Sequence, residues 1–420
     1  MDKFIIHGGK KLNGTVTIGG AKNASLALMP AALLASGTFH LSNTPNLRDV
    51  ATMSSLLKSM GMKIELKGDL LTLDTRGVNK HEAPYAHVKK MRASIYVLGP
   101  LVARYGKAKV SLPGGCAWGP RPVNLHIEGM KKLGAEIDLD HGYIIANAKN
   151  LSGAKIHFDI SSVGATGNVM MAAVLAKGTT LITNAAIEPE ISALAEFLVK
   201  MGAKIDGIGT NRLEIEGVDE LHPTDIETIP DRIETGTFLV AAAITGGNVT
   251  LDRVSPEHFS VVTAKLEDAG CKISTGTTTV TIHASEGLNP VDATAVIYPG
   301  FPTDMQAQWI ALMAISKGTS IVTDTIYTDR FKHVPELERL GADIELKENA
   351  AIVRGVKGLT GAKVMSTDLR ASASLILAGL VAEGETEVLR VYHLDRGYEA
   401  IEKKLKALGA DIERVSGGEF

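Results

Sequence analysis

Six copies of one short pattern divide this chain. Each copy is a glycine, a small or apolar residue, one position of any kind, then isoleucine. It occurs as MGMKIEL at Gly61, LGAEIDL at Gly134, MGAKIDG at Gly202, AGCKIST at Gly270, LGADIEL at Gly341 and LGADIER at Gly409. A helical stretch precedes every copy, so the glycine reads as a helix C-terminal cap and the isoleucine as the opening of a strand. A second marker alternates with the first: a helix of small and apolar residues that ends in glycine and runs into a short strand. AKNASLALMPAALLASGTFHL and LRASASLILAGLVAEGETEVL are its first and last copies. The period is about 70 residues, long enough for a unit of two helices and several strands. The unit reads as strand, apolar helix, strand, amphipathic helix and strand hairpin.

The two helices of the unit differ in kind. The first is apolar on most sides and belongs inside a domain. The second carries charge on one face, as in IEGMKKLGA and IEKKLKALGA, and belongs outside. Six such units make an α/β protein, most simply two domains of three units, each with three apolar helices at its centre and sheets around them.

Composition limits what this architecture is for. The 420 residues carry a net charge of −3, so no global basic field argues for nucleic acid. No apolar run reaches the roughly 18 residues of a membrane-spanning helix. The N-terminal MDKFIIHGGKKLNG has too short an apolar stretch for a signal peptide, and two cysteines suit a reducing compartment, so a cytoplasmic location is expected. Nothing in the residues calls for a metal or an organic cofactor, and none is expected.

The repeat also acts as an internal control on the polar residues. Where Cys271 stands, the other copies carry Met62, Ala135, Ala203, Ala342 and Ala410, so Cys271 reads as a packed small hydrophobe. Cys116 has no counterpart. It sits in SLPGGCAWGPRPVNLH, a loop insertion with Arg121 five residues on. Reactive thiols are partly exposed and lie near positive charge; a mobile surface thiol is the plainer alternative. The starts of the six apolar helices are equally informative. They carry Lys22 with Asn23, Arg92, Ser162 with Gly164, Asp231 with Glu234, Asp304, and Arg370. Three hold a cation where the helix dipole disfavours one. Free N–H groups plus a cation make a site for phosphate or carboxylate. Arg121, Arg330 and Arg396 fall on loops able to add to it. Asp304, in YPGFPTDMQAQ, reads either as a helix cap or as a general base for a substrate hydroxyl.

GGAKNASL, MRASIYVLGPL, SLPGGCAWGPRPVNLHI, SVGAT, GFPTDMQAQ, RFKHVPEL, DLRASASL and DRGYE together resemble the UDP-N-acetylglucosamine enolpyruvyl transferase family along essentially the whole chain. The resemblance implies a two-domain inside-out α/β barrel with three units per domain. The first domain would span 21–230 and the second 1–20 plus 231–420, with catalysis in the cleft between them. It implies transfer of the enolpyruvyl group of phosphoenolpyruvate to the 3-hydroxyl of UDP-N-acetylglucosamine with loss of phosphate, the committed step of bacterial peptidoglycan synthesis. The implied partners are these two small molecules, with no nucleic acid and no membrane.

The site residues follow by the same resemblance. Cys116 matches the acid that protonates carbon 3 and forms a covalent adduct at carbon 2, and it matches the thiol that fosfomycin attacks in the family. Lys22, Asn23, Arg121, Arg330, Arg370 and Arg396 match the phosphoenolpyruvate site, Lys22 and Arg396 with catalytic roles. Asp304 matches the residue that handles the sugar hydroxyl. Asn23, Arg92, Arg121, Pro122, Val123, Asn124, Leu125, Ser162, Val163, Gly164, Asp304 and Ile326 match the nucleotide-sugar site. The Gly-Pro-rich loop around Cys116 is expected to close over bound substrate. Thr328, Asp329 and Ile160 depart from the commoner residues of the family. The shikimate 3-phosphate enzyme of the same fold is the near alternative, distinguished by the Cys116 loop. A six-unit DNA sliding clamp is the remote one, disfavoured because the helices that would line its ring are apolar.

Overall fold

The computed structural model describes residues 2–112, 123–284 and 287–416. The chain forms two compact units, one of residues 20–229 and the other of residues 1–19 with 230–420.

Each unit holds three four-stranded sheets of one design. In unit 20–229, Ile226–Glu227 runs parallel to Thr38–Ser42, which pairs antiparallel with Leu70–Asp74, which pairs antiparallel with Lys63–Lys67. The sheets around Lys107–Ser111 and Thr179–Thr183 repeat the arrangement. In the other unit it recurs around Asn248–Asp252 and Thr319–Asp324. The sixth sheet departs from the hairpin expected of every unit. There the N-terminal Asp2–His7 pairs with both Asp411–Ser416 and Glu385–Leu389. An N-terminal strand therefore takes the position that the second hairpin strand fills in the other five sheets.

The six glycine markers are helix caps. Gly61, Gly134, Gly202, Gly270, Gly341 and Gly409 all lie at φ between 91° and 109°, where a side chain would be strained. At the first of them the Gly61 N–H reaches the Lys58 carbonyl and the Met62 N–H reaches Leu57, which satisfies carbonyls that the helix end leaves open. The following slot is buried in all six copies, and Cys271 in it is only 5% exposed.

The apolar helices occupy the cores as their composition requires. Every residue of Gln306–Met313 and of Leu369–Gly379 is buried. Arg232–Thr245 buries everything after its first residue. These three helices pack on one another. In unit 20–229 the corresponding helices are Lys22–Ala31, Leu98–Tyr105 behind the 3-10 turn Arg92–Val97, and Val163–Ala173. The Arg92–Val97 turn packs against both of the others. The charged helices keep a solvent-facing side: Ile401–Ala407 buries only Ile401 and Leu405, whereas Pro189–Lys200 buries most of its length.

Candidate active site

The helix starts of unit 1–19 with 230–420 carry a connected set of charges. Asp304 lies in the 3-10 turn Thr303–Met305 that leads into Gln306–Met313. Its Oδ1 is 2.8 Å from Arg330 Nη1, and its Oδ2 accepts from Arg370 Nη2 at 2.8 Å. The two arginines are buried, whereas the Asp304 side chain keeps 25% of its surface. Arg370 is the second residue of Leu369–Gly379, where Asp368 caps the helix by accepting from the N–H groups of Arg370 and Ala371. Burial opposes the charge of Arg370, but the Asp304 carboxylate outweighs it and holds the guanidinium protonated above its ordinary range. Tyr398 lies under the Arg370 guanidinium, 5.3 Å from charge centre to ring. Gln308 ties the set together by donating to the Asp304 carbonyl, the Tyr398 hydroxyl and Thr237. Asp231 caps the third helix through the N–H groups of Ile233 and Glu234 and adds its charge to the field at Arg370. Glu234 is buried and accepts from Lys404 and the Gly19 N–H; burial raises its carboxyl above the usual range.

Two further predicted residues sit on flanking turns of this unit. Ile326 belongs to a turn whose N–H groups, Ile326 and Tyr327, both donate to Asp324. Arg396, half-buried, ends the 3-10 turn Val391–Arg396, which packs on Leu369–Gly379. Thr328 and Asp329 are exposed beside Arg330.

Unit 20–229 carries the second group of predicted residues. Lys22 opens its helix without a capping side chain, and Asp49 from the first turn of Arg48–Ser59 stands 3.6 Å from its ammonium. Asn23 beside it is exposed. Ser162 caps Val163–Ala173 by accepting from the Ala165 N–H at 3.3 Å. Against this helix start lies His126, a residue whose role the sequence did not reveal. A Cβ on Gly164 would stand 3.1 Å from His126 Cε1 and Nε2. Burial, reinforced by the Arg92 charge, pushes the imidazole down to about 4.

The tautomer of His126 follows from its neighbours. Asn168 Oδ1 accepts the Gly99 N–H at 2.7 Å, so its amide nitrogen must face the other way. That nitrogen donates to the Ile95 carbonyl and to His126 Nδ1. Nδ1 is therefore an acceptor, and the ring proton sits on Nε2, beside Gly164. Val123 precedes, and Asn124 and Leu125 begin, the helix Asn124–Lys132 that carries His126. Ile160 is exposed. Cys116, Arg121 and Pro122 lie outside the described residues.

Comparison with known proteins gives this arrangement its context. A family model described as EPSP synthase (3-phosphoshikimate 1-carboxyvinyltransferase) matches residues 6–405. The enolpyruvyl transferase NikO from Streptomyces tendae superposes with a TM-score of 0.90 at 26% identity, over 99% of each chain. EPSP synthase from Acinetobacter baumannii shares the fold, with a TM-score of 0.77 at 20% identity. These define the class as carboxyvinyl transferases built on the six-unit, two-domain α/β fold. Curated relatives are closer in sequence. The UDP-N-acetylglucosamine 1-carboxyvinyltransferase of Chloroherpeton thalassium is 63% identical over all of this chain and 99% of its own length. That of Myxococcus xanthus is 56% identical over 99% of each. The chain belongs to the UDP-N-acetylglucosamine 1-carboxyvinyltransferase family.

Proposed function

We propose that this protein transfers the enolpyruvyl group of phosphoenolpyruvate to the 3-hydroxyl of UDP-N-acetylglucosamine and releases phosphate, the first committed step of peptidoglycan synthesis. The observation that carries the proposal is the Asp304 carboxylate clamped by two buried guanidiniums at the start of a core helix. A donor bearing both a phosphate and a carboxylate suits such cations, and an acceptor hydroxyl needs the carboxylate. Full-length identity to relatives named for this acceptor supports the choice of sugar.

Lys22, Arg121, Arg330, Arg370 and Arg396, with Asn23, hold the two anionic groups of phosphoenolpyruvate. Arg92, residues 121–125, Ser162 to Gly164 and Ile326 hold the nucleotide sugar, as Asn23 and Asp304 also do. The Cys116 thiol gives its proton to carbon 3, and cationic character develops at carbon 2. The sugar hydroxyl oxygen bonds to carbon 2 while its proton passes to Asp304. The bond from carbon 2 to the phosphate oxygen then breaks, carbon 3 gives a proton back to the Cys116 thiolate as the double bond re-forms, and the departing phosphate takes up the proton held by Asp304, so both groups are restored. In the alternative encounter the thiolate bonds to carbon 2 and gives the covalent adduct. Among the described residues no helix is long and apolar enough to cross a membrane. The substrates are intracellular small molecules, and the protein works in the cytoplasm.

The test is phosphate release from phosphoenolpyruvate with UDP-N-acetylglucosamine or shikimate 3-phosphate as acceptor, alongside intact-protein mass spectrometry. Release with the nucleotide sugar and a phosphoenolpyruvate adduct mapped to Cys116 are expected. Release with shikimate 3-phosphate alone would overturn the assignment.

A further inference from the structure

We infer that Asp324 and Thr303 are positioning residues for this reaction: a buried carboxylate that, through one hydroxyl, fixes Arg330 on Asp304 and at the same time shapes the turn bearing Ile326. The inference rests on the function proposed above and adds two residues that the transfer chemistry itself does not name.

Asp324 is fully buried, at the end of the strand Thr319–Asp324. A buried carboxylate is costly unless its lone pairs are used. Its Oδ1 accepts the backbone N–H groups of Ile326 at 2.9 Å and Tyr327 at 2.8 Å. Its Oδ2 accepts the Thr303 hydroxyl at 2.5 Å. Thr303 has a single hydroxyl proton, and Asp324 takes it. The lone pairs of Oγ1 are left to accept from Arg330 Nη1 at 2.9 Å. The same Nη1 lies 2.8 Å from Asp304 Oδ1. The relay therefore runs in one direction, from guanidinium to hydroxyl to carboxylate, and each bond sets the orientation of the next. Asn349 holds Asp324 from behind, accepting its N–H and donating to its carbonyl. Arg330 and Ile326 lie in the same segment, so one carboxylate aligns a cation for the donor and a backbone turn for the acceptor.

The relay demands an acceptor-only group at position 324. Asn has the same shape but cannot serve in either orientation. With its amide nitrogen toward Thr303, it donates to Oγ1, turns the hydroxyl proton toward Arg330 and sets donor against donor. With its nitrogen toward the turn, it meets two backbone N–H groups. At position 303, valine keeps the volume and removes the link, while serine keeps the link.

The experiment compares Thr303→Val, Thr303→Ser and Asp324→Asn in the full-length enzyme by steady-state phosphate release and thermal unfolding. Thr303→Val is expected to lose ~10-fold or more in kcat with KM for the nucleotide sugar nearly unchanged, as befits a group acting on the transition state. Thr303→Ser is expected to recover most of that loss. Asp324→Asn is expected to lower kcat further and to raise KM for the nucleotide sugar, because it disturbs the Ile326 turn as well. The double variant with Thr303→Val should be no slower than Asp324→Asn alone, since both break one chain. Wild-type kcat in Thr303→Val, serine behaving like valine, or losses that merely track a lowered unfolding temperature would overturn the relay. Should the wild-type chain show no acceptor-dependent release, the proposed function fails separately. The relay is then decided by the crystal structure of Thr303→Val: Arg330 moved off Asp304 supports it, and Arg330 in place overturns it.

Discussion

Lowering the pH should destabilise unit 20–229 through one histidine, by an amount the structure sets. Folded His126 titrates at about 4, chiefly because it is buried and secondarily because Arg92 repels its proton. Unfolded, it returns to the ordinary value near 6.5. Well above that value both states are neutral and the residue contributes no pH dependence. As pH falls through 6.5 the unfolded chain takes up a proton that the folded chain refuses, and stability drops until the folded pKa is reached. At pH 5 the loss is about 2 kcal/mol, and near pH 4 about 3 kcal/mol, from 1.36 kcal/mol per pKa unit. The assay is urea unfolding of the full chain followed by circular dichroism near pH 8, 6.5 and 5, comparing wild type with His126→Gln. Glutamine can still accept from Asn168 but has no proton to gain. The variant should lack about 2 kcal/mol of the acid-side loss seen in the wild type. His333→Gln serves as a matched control in the other unit, because burial and then Arg330 hold that ring at about 3. Parallel stability profiles for wild type and His126→Gln would refute the account of a buried neutral imidazole.

Other expected outcomes follow from the same geometry. Asp304→Ala removes the carboxylate that occupies Arg330 and Arg370, so turnover should vanish while inorganic phosphate, measured by calorimetry, binds ~10-fold more tightly; unchanged or weaker binding would contradict an internal competitor. Gly164→Ala places a methyl 3.1 Å from a ring that Asn168 pins, which should cost about 1–2 kcal/mol of stability and raise KM for the nucleotide sugar, read by unfolding and kinetics. Cys116→Ser should abolish or severely impair turnover and leave the unfolding midpoint in place, and fosfomycin should label Cys116 and not the buried Cys271; labelling at Cys271 would reverse the assignment.

What the sequence made legible was whatever the repeat expressed six times. The glycine caps recur at a fixed offset because each ends a helix with a left-handed residue, and the slot after each stays apolar because it is buried. Helices without a polar face had to lie in cores, and they do. The residues that escaped are single polar side chains whose partners are distant in sequence. Asp324 meets Thr303 across 21 residues, and Asn168 meets His126 across 42. No periodicity announces such pairs, since each occurs once and breaks the repeat. Thr303 and His126 stood inside distinctive motifs, GFPTDMQAQ and SLPGGCAWGPRPVNLHI, so the signal available was their place in a non-repeating stretch.

The cations at the helix starts are where sequence pattern and structure explain each other. A lysine or arginine opening a helix opposes the macrodipole, and a fold that keeps one must offset it locally. Here the offset comes from carboxylates of the same unit: Asp49 stands by Lys22, and Asp304 by Arg370 and Arg330. These pairs let the chain hold buried positive charge while its net charge stays at −3. They also set a condition on any anion that binds there. It must supply as much as the carboxylate already present, and a phosphate with two or three oxygens can engage the guanidiniums that one carboxylate bridges. The cluster is gathered from three places, the starts of Gln306–Met313 and Leu369–Gly379 and the turn that carries Arg330, and the Asp304 carboxylate is what joins them.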